Sequence, residues 1–512
     1  MGWVKEGEMN PLRVSLHDLT ATSGAGTIAA LLEPGATEVR VDVTLRAPGF
    51  TFTASGPTQL TLKPVRDPAL EEVVFDVTAQ SPGPVPRSRE LRAEFWQGNT
   101  PLGSVCHHTM VVPANWTGSS VSDGRQTAVG FSIRAPREPC DLRITVQGDD
   151  EDGLPPFRMT LTSILPGAEF SDLYVGKLKL DNPGQSLGDY LAQIYAEQFD
   201  QLPGVGLDDE AYTAAFAAWE QQFNATLDGL GRTLWKWLPE RFREKYLSFH
   251  RDGVQVRSIL INSDEMSLPW ELIIPHGTLD GASFELPPLG RSHIIGRWKP
   301  GAIAKPQPQR FQVRRFCVVN PPYPKPDDLP STVREVDELK KLFPKIDVIT
   351  PADFATVQRE VLTRDDVHLF HFSGHGGYQS ESGNVDLSTL RLLNGQLNAV
   401  TMNGARFLGA ASPIIYLNAC HAGAAGSVVG RAGGFSANLL NSGSGGVIAP
   451  YWPVVDERAA DFALGLYEKL HRERSIGEAL QELREEHPQD PTYRAFAYFG
   501  DPWTRLDFSA LA

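Results

Sequence analysis

Two stretches decide the reading of this chain: residues 368–377, HLFHFSGHGG, and residues 414–420, IIYLNAC. Each opens as an apolar run of the length and composition of a strand buried on both faces of a parallel sheet. Each closes on a polar residue of catalytic type, His375 in the first and Cys420 in the second. Open α/β sheets carry their reactive groups beyond the carboxyl ends of the strands, so two neighbouring strands would bring this imidazole and this thiol together. A thiol beside an imidazole is a nucleophile with its base.

Outward from these stretches, residues 311–512 alternate short apolar strands with helices of ten or so residues. Strands are expected at 311–319, 346–349, 367–372, 414–417, 446–451 and 493–499, and helices at 331–342, 352–362, 433–441, 456–471 and 475–485. That alternation implies a parallel sheet with right-handed crossovers. Residues 157–310 read as a strand at 159–165, helices at 186–201, 208–230 and 232–247, and a strand at 254–261. A proline-rich link at 300–308 follows. The Ala, Leu, Phe and Trp residues of 214–227 recur at helical spacing, the pattern of a core face.

The acidic, proline-containing stretch 149–156, DDEDGLPP, marks the expected boundary with an N-terminal domain, residues 1–148. There the text changes to short alternating runs at 38–45, 59–65, 71–78, 89–96, 103–112, 128–134 and 142–146. Gln97-Gly98-Asn99-Thr100 reads as a hairpin turn, and the whole as an antiparallel β-sandwich, more often a docking module than an enzyme. Residues 23–29 contain GxGxxA, but no clean strand precedes it, so a dinucleotide site is not expected. His107 and His108 beside Cys106 point to opposite faces of one strand and do not make a metal site.

With 512 residues the chain exceeds a single core, and 41% apolar against 21% charged residues is ordinary for a soluble protein. No apolar span of membrane length is present, and Trp3, Lys5, Glu6 and Glu8 interrupt any signal-peptide core, so the expected location is the cytoplasm. A formal net charge of -15 argues against direct nucleic-acid binding or attachment to an anionic membrane. Four scattered cysteines without a CxxC pair suggest neither a disulfide framework nor structural zinc.

The motif SGHGG after one strand, LNAC after the next and GGVIAPYWPVVDERAADF at 445–462 together resemble the CHAT peptidases, relatives of caspase, separase and gingipain. DEMSLPWEL at 264–272, Glu335 and YFGDP at 498–502 fit the same resemblance, which spans residues 157–506. It implies a caspase-like, mostly parallel sheet flanked by helices, with residues 157–310 as a pseudo-caspase half and 311–512 as the catalytic half. Cys420 would be the nucleophile, His375 the general base and acid, and the backbone N–H groups of Gly376 and Cys420 the oxyanion hole. The chemistry agrees, since attack on a peptide carbonyl needs a thiolate that an imidazole can generate and then protonate onto the leaving amine. In separase-like relatives the segment matching 452–456 brings an acidic residue to the substrate pocket, so Asp456 would select a basic residue; as the start of a helix, Asp456 could instead be its N-cap.

No cofactor is implied. The resemblance further implies a bacterial setting, a protein substrate and a protein activator or sensor docking on the N-terminal domain, often in a defence or cell-death system. The competing reading is a catalytically silent scaffold of the same fold. A metal hydrolase using His371, His375, Cys420 or His421 lacks the glutamate base such enzymes place near their ligands. Cys317 reads as core, Asn418 as bonding neighbouring backbone, and the glycine-rich 423–434 as an activation or substrate loop.

Overall fold

The computed structural model describes the chain apart from residues 1–2, 16–26, 32–37, 63–71, 119–129, 135–137, 149–155, 179–186, 204–208, 280, 301–308, 326, 378–388, 420–426, 429–430, 433–434 and 512. It divides into two compact units, Met1–Arg143 with Gln147–Tyr174, and Ile144–Val146 with Val175–Ala512.

Of the seven alternating runs, Gly130–Arg134 and Leu142–Gly148 belong to other sheets, while in the first unit five pair into two sheets. One holds Trp3–Lys5, Thr100–Val112, Arg87–Gln97, Val39–Arg46 and Gln59–Leu62 in that order; the other holds Met9–Ser15, Glu72–Ala79 and Phe50–Ala54. Every second residue of Val39–Arg46 and of Glu72–Ala79 is buried, and these inward residues meet in one apolar core. The hairpin at 97–100 forms as expected, with Gln97 opposite Thr100 and Gly98 at φ +57, where a side chain would strain the turn. Of the GxGxxA stretch, residues 23–26 lie outside the described residues, while Thr27–Leu31 is a strand parallel to Gly130–Arg134 and not the helix a dinucleotide site requires.

The unit reaches further than the acidic stretch suggested, because Phe157–Ser163 and the start of Phe170–Leu178 belong to it. Asp172 explains this. Its carboxylate accepts from Thr44 Oγ1 at 3.2 Å and lies 3.3 Å from the buried Arg143 guanidinium, which itself stacks 4.0 Å from the Trp96 ring.

The second unit is built on a sheet that runs Ser258–Ser263, Ile294–Trp298, Phe496–Gly500, Gly446–Pro450, Ile414–Asn418, Leu369–Ser373, Phe316–Val319, Asp347–Val348. Neighbours are parallel except Gly446–Pro450 with Phe496–Gly500. The central strands are buried at every residue, which is why they read as unbroken apolar runs. Residues 311–319 split into Arg310–Gln312, which pairs with Arg505–Asp507, and Phe316–Val319 in the main sheet.

The break expected between helices at 230–232 is absent: one helix runs Asp209–Trp237, and the next, Glu240–Arg251, begins after Pro239. Gly231 is there for closeness and not for a turn. A β-carbon at 231 would overlap the Leu272 carbonyl oxygen, so this helix approaches Trp270–Leu272 only through a glycine. Helix Ile476–Glu486 starts from a capping box of Ser475 and Glu478. Among the described residues no helix is long and apolar enough to cross a membrane.

Candidate active site

The strand Leu369–Ser373, here the His strand, and Ile414–Asn418, the Cys strand, are direct parallel neighbours, with Ser373 opposite Asn418. The Gly374 N–H continues the ladder by donating to the Asn418 carbonyl at 3.1 Å. His375 therefore stands just past the sheet's carboxyl edge. Cys420, His421 and most of the glycine-rich stretch 423–434 lie outside the described residues; the buried Ala419 is the last before them.

His375 is held on three sides. Its backbone N–H donates to the Tyr323 hydroxyl at 3.1 Å, its carbonyl accepts from the Arg391 N–H at 2.9 Å, and its Nε2 lies 2.7 Å from the Asp327 carbonyl oxygen. A carbonyl only accepts, so Nε2 carries the hydrogen and Nδ1 of the neutral ring keeps its lone pair. The tautomer with Nδ1 as base is thus set by a backbone oxygen.

Tyr323 stacks on the imidazole with ring centroids 4.6 Å apart and donates its hydroxyl hydrogen to the Arg391 carbonyl at 2.6 Å. Burial pushes the phenol up to about 12, so it remains a neutral donor near neutral pH. Arg391 lies over the Tyr323 ring at 5.2 Å and pairs with the Asp327 carboxylate at 2.7 Å, which closes the ring of contacts around the histidine. None of Tyr323, Asp327 and Arg391 stood out in the sequence. The only available signal was that residues 320–327 follow a strand at the same sheet edge.

Gly376–Gly377 pairs antiparallel with Leu390 and Thr389. At Gly374 a β-carbon would come within 2.5 Å of the Tyr323 hydroxyl oxygen. Gly374→Ala is accordingly expected to push Tyr323 off the histidine and to lower kcat by about ten- to a hundredfold with little change in melting temperature, as a displacement near 1 Å at reacting groups can do. Steady-state kinetics beside a thermal melt checks this.

Asp456 is the first residue of helix Asp456–His471, whose N-cap is Val455. It does not cap its own helix. Its Oδ2 accepts from the Ser331 N–H at 3.0 Å, at the start of helix Pro330–Leu342, where the flanking Leu329 offers no side-chain acceptor. The segment leading to it is anchored: Tyr451 donates to the Met266 carbonyl at 3.2 Å, and the buried Trp452 packs on Tyr195 at 4.8 Å and Phe223 at 6.1 Å.

His371 is wholly buried, with Nδ1 3.0 Å from the Tyr467 hydroxyl and Nε2 2.7 Å from Glu335 Oε1. Among the described residues no group of three or more His, Cys, Asp or Glu is arranged to hold a metal ion. The Asn418 amide donates to Glu335 Oε2 at 3.0 Å, a side-chain partner that its sequence reading did not include. Cys317 is fully buried, and burial pushes its thiol up to about 12.

The His and Cys strands are thus neighbours in a mostly parallel α/β sheet, with His375 at the carboxyl end of one and Cys420 two positions after the other in sequence. The chain belongs to the CHAT-domain family, whose description matches residues 229–503, more than half of its length. The match begins inside the long helix, later than residue 157. No curated protein matches the chain. Among solved structures, the Saccharomyces cerevisiae separase–securin complex is similar at a TM-score of 0.43 and 11% identity, over 70% of this chain and 30% of that one. This chain thus spans about a third of that protein. The Arg-specific cysteine proteinase gingipain R is similar at a TM-score of 0.34 and 12% identity, over 62% of this chain and 76% of that one.

Proposed function

We propose that the protein is a regulated cysteine endopeptidase in which Cys420 attacks a peptide carbonyl and His375 serves as base and acid. The observation that carries this reading is the Nε2–H of His375 directed at the Asp327 carbonyl, which leaves Nδ1 as the proton acceptor at the end of a strand paired with the one leading to Cys420. In the proposed course Nδ1 takes the Cys420 proton and the thiolate adds to the carbonyl carbon. The oxyanion is met by the backbone N–H groups of Gly376 and Cys420. The imidazolium then protonates the leaving amine, and water, deprotonated by the same imidazole, releases the acid from the thioester.

Asp456 is proposed to present its carboxylate to a Lys or Arg before the cut. Only Oδ2 is described in a bond, to Ser331, and a carboxylate has further lone pairs for a cation. Asp456→Asn is expected to lower kcat/KM on a basic substrate by about ten- to a hundredfold, the worth of one charged hydrogen bond. A substrate with a neutral residue at that position should be far less affected, and equal loss on both would remove Asp456 from the pocket.

The setting proposed is a bacterial cytoplasm, with one protein target cleaved in a defence or cell-death response once a partner docks on the first unit. The test mixes the full chain, Cys420→Ala and His375→Ala with lysate of the source cells and with proteins encoded nearby. A discrete fragment is expected with the intact protein only, since the base alone contributes on the order of 10²–10⁴-fold. A thiol-reactive peptide probe, read by mass spectrometry, is expected to label Cys420 well before the buried Cys317 and in a His375-dependent manner. Labelling of Cys420 no faster than that of an ordinary exposed thiol would favour the silent scaffold.

A further inference from the structure

We infer that Glu335 is a positioning residue that locks the ends of the His and Cys strands to each other beneath the candidate site, an inference that rests on the reading of His375 and Cys420 as its catalytic pair. One carboxylate oxygen, Glu335 Oε2, accepts both from Ser373 Oγ at 2.8 Å and from Asn418 Nδ2 at 3.0 Å. Ser373 and Asn418 are opposite each other in the ladder, and each stands two residues before its member of the pair, His375 and Cys420. The same acceptor therefore ties down both chain segments at the last point before they leave the sheet.

The other oxygen, Oε1, lies 2.7 Å from His371 Nε2, off the axis of the ring N–H. Glu335, His371 and Ser373 are wholly buried, and Asn418 nearly so. A carboxylate removed from water to this degree is costly unless its lone pairs are met, and a pair of hydroxyl or amide donors could have been packed there by apolar residues instead. The arrangement makes sense as a device for fixing geometry. Its helix, Pro330–Leu342, reaches two further points of the same edge: Thr332 exchanges bonds with Asn320 at 2.9 and 3.1 Å, just past strand Phe316–Val319, and the Ser331 N–H holds Asp456. One helix thus gathers the ends of three adjacent strands and the start of the helix proposed to carry substrate selectivity.

The test uses the full chain with Glu335→Gln, Glu335→Leu, the double change Ser373→Ala with Asn418→Ala, and His375→Ala as a reference. Two quantities are read: backbone hydrogen exchange over residues 369–377 and 414–419, and the pH profile of Cys420 alkylation by iodoacetamide. The double variant leaves the Glu335–His371 contact in place. It is expected to speed strand-end exchange at least tenfold and to slow Cys420 alkylation at neutral pH about tenfold, the alkylation midpoint moving toward that of a free thiol. Exchange over Gly446–Pro450 and the first unit should stay as in the intact protein. Glu335→Gln is expected to behave like the intact protein, because its amide oxygen still accepts from Ser373 and Asn418 while its amide N–H meets the other tautomer of His371. Glu335→Leu should match the double variant or fail to fold.

Unchanged strand-end exchange in the folded double variant overturns the inference, as does a Glu335→Gln protein whose strand-end exchange is as fast as in the double variant. If Cys420 alkylation in the intact protein proves independent of His375, the catalytic-pair reading fails by itself, and the exchange measurement alone decides whether Glu335 locks the strand ends.

Discussion

Glu271→Ala is expected to lower the stability of the second unit by about 3–5 kcal/mol, the usual cost of leaving one member of a buried ion pair alone. Glu271 lies on the short turn Trp270–Leu272 and Arg297 in strand Ile294–Trp298, and both are almost fully buried. Arg297 Nε donates to Glu271 Oε1 at 3.1 Å, a second guanidinium nitrogen donates to Oε2, and a third to the Tyr451 hydroxyl. The guanidinium also lies 4.9 Å from the Tyr451 ring centroid and 5.4 Å from that of Phe499. Removing the carboxylate strands a cation where water cannot reach it. Removing both charges does not, so Glu271→Leu with Arg297→Met should recover much of the loss. Urea unfolding of the two variants and the intact chain checks this. A single variant within about 1 kcal/mol of the intact protein would mean that solvent or another carboxylate reaches Arg297. Because Tyr451 precedes the segment to Asp456, the single variant should also show weakened substrate selection where it remains folded.

Gly296→Val is expected to leave the second unit unfolded or insoluble. Gly296 sits in strand Ile294–Trp298 beside strand Phe496–Gly500, at the seam between the sheet's two halves. A β-carbon there would stand 2.5 Å from the Gly500 carbonyl oxygen and 2.9 Å from the Pro502 nitrogen. Both neighbours are backbone, which cannot rotate away as a side chain can. The seam must open along the sheet, and the cost should reach or exceed the upper end of the ~1–3 kcal/mol seen for overpacked cores. Gly296→Ala should show the same defect more weakly. A soluble Gly296→Val protein with an unchanged melt would show that residues 500–502 shift without loss.

The sequence by itself determined the two fold classes and the two strands that lead to the candidate site. Strands buried on both faces must be apolar throughout, so Leu369–Ser373, Ile414–Asn418 and Gly446–Pro450 could be read directly, and the half-buried strands of the first unit betrayed themselves by alternation. His375 could be singled out because a histidine after such a strand stands past the carboxyl edge of the sheet. The helices expected at 208–230 and 232–247 are continuous through Gly231; glycine loosens a helix and also permits close packing, and one dimension cannot separate the two uses. That Phe157–Ser163 and the start of Phe170–Leu178 belong to the first unit could not be assigned for a related reason: their tie to it is the bonding of Asp172 to Thr44 and Arg143. Only the tertiary structure decided what surrounds the histidine and what lies below it. The Asp327 carbonyl that sets its tautomer belongs to the backbone and leaves no mark in residue identity. Glu335, Ser373 and Asn418 come from a helix and two strands separated by 38 and 83 positions, so neither periodicity nor spacing joins them. They meet because parallel strands bring their carboxyl ends to one edge, and a buried carboxylate there must find its donors among whatever that edge presents.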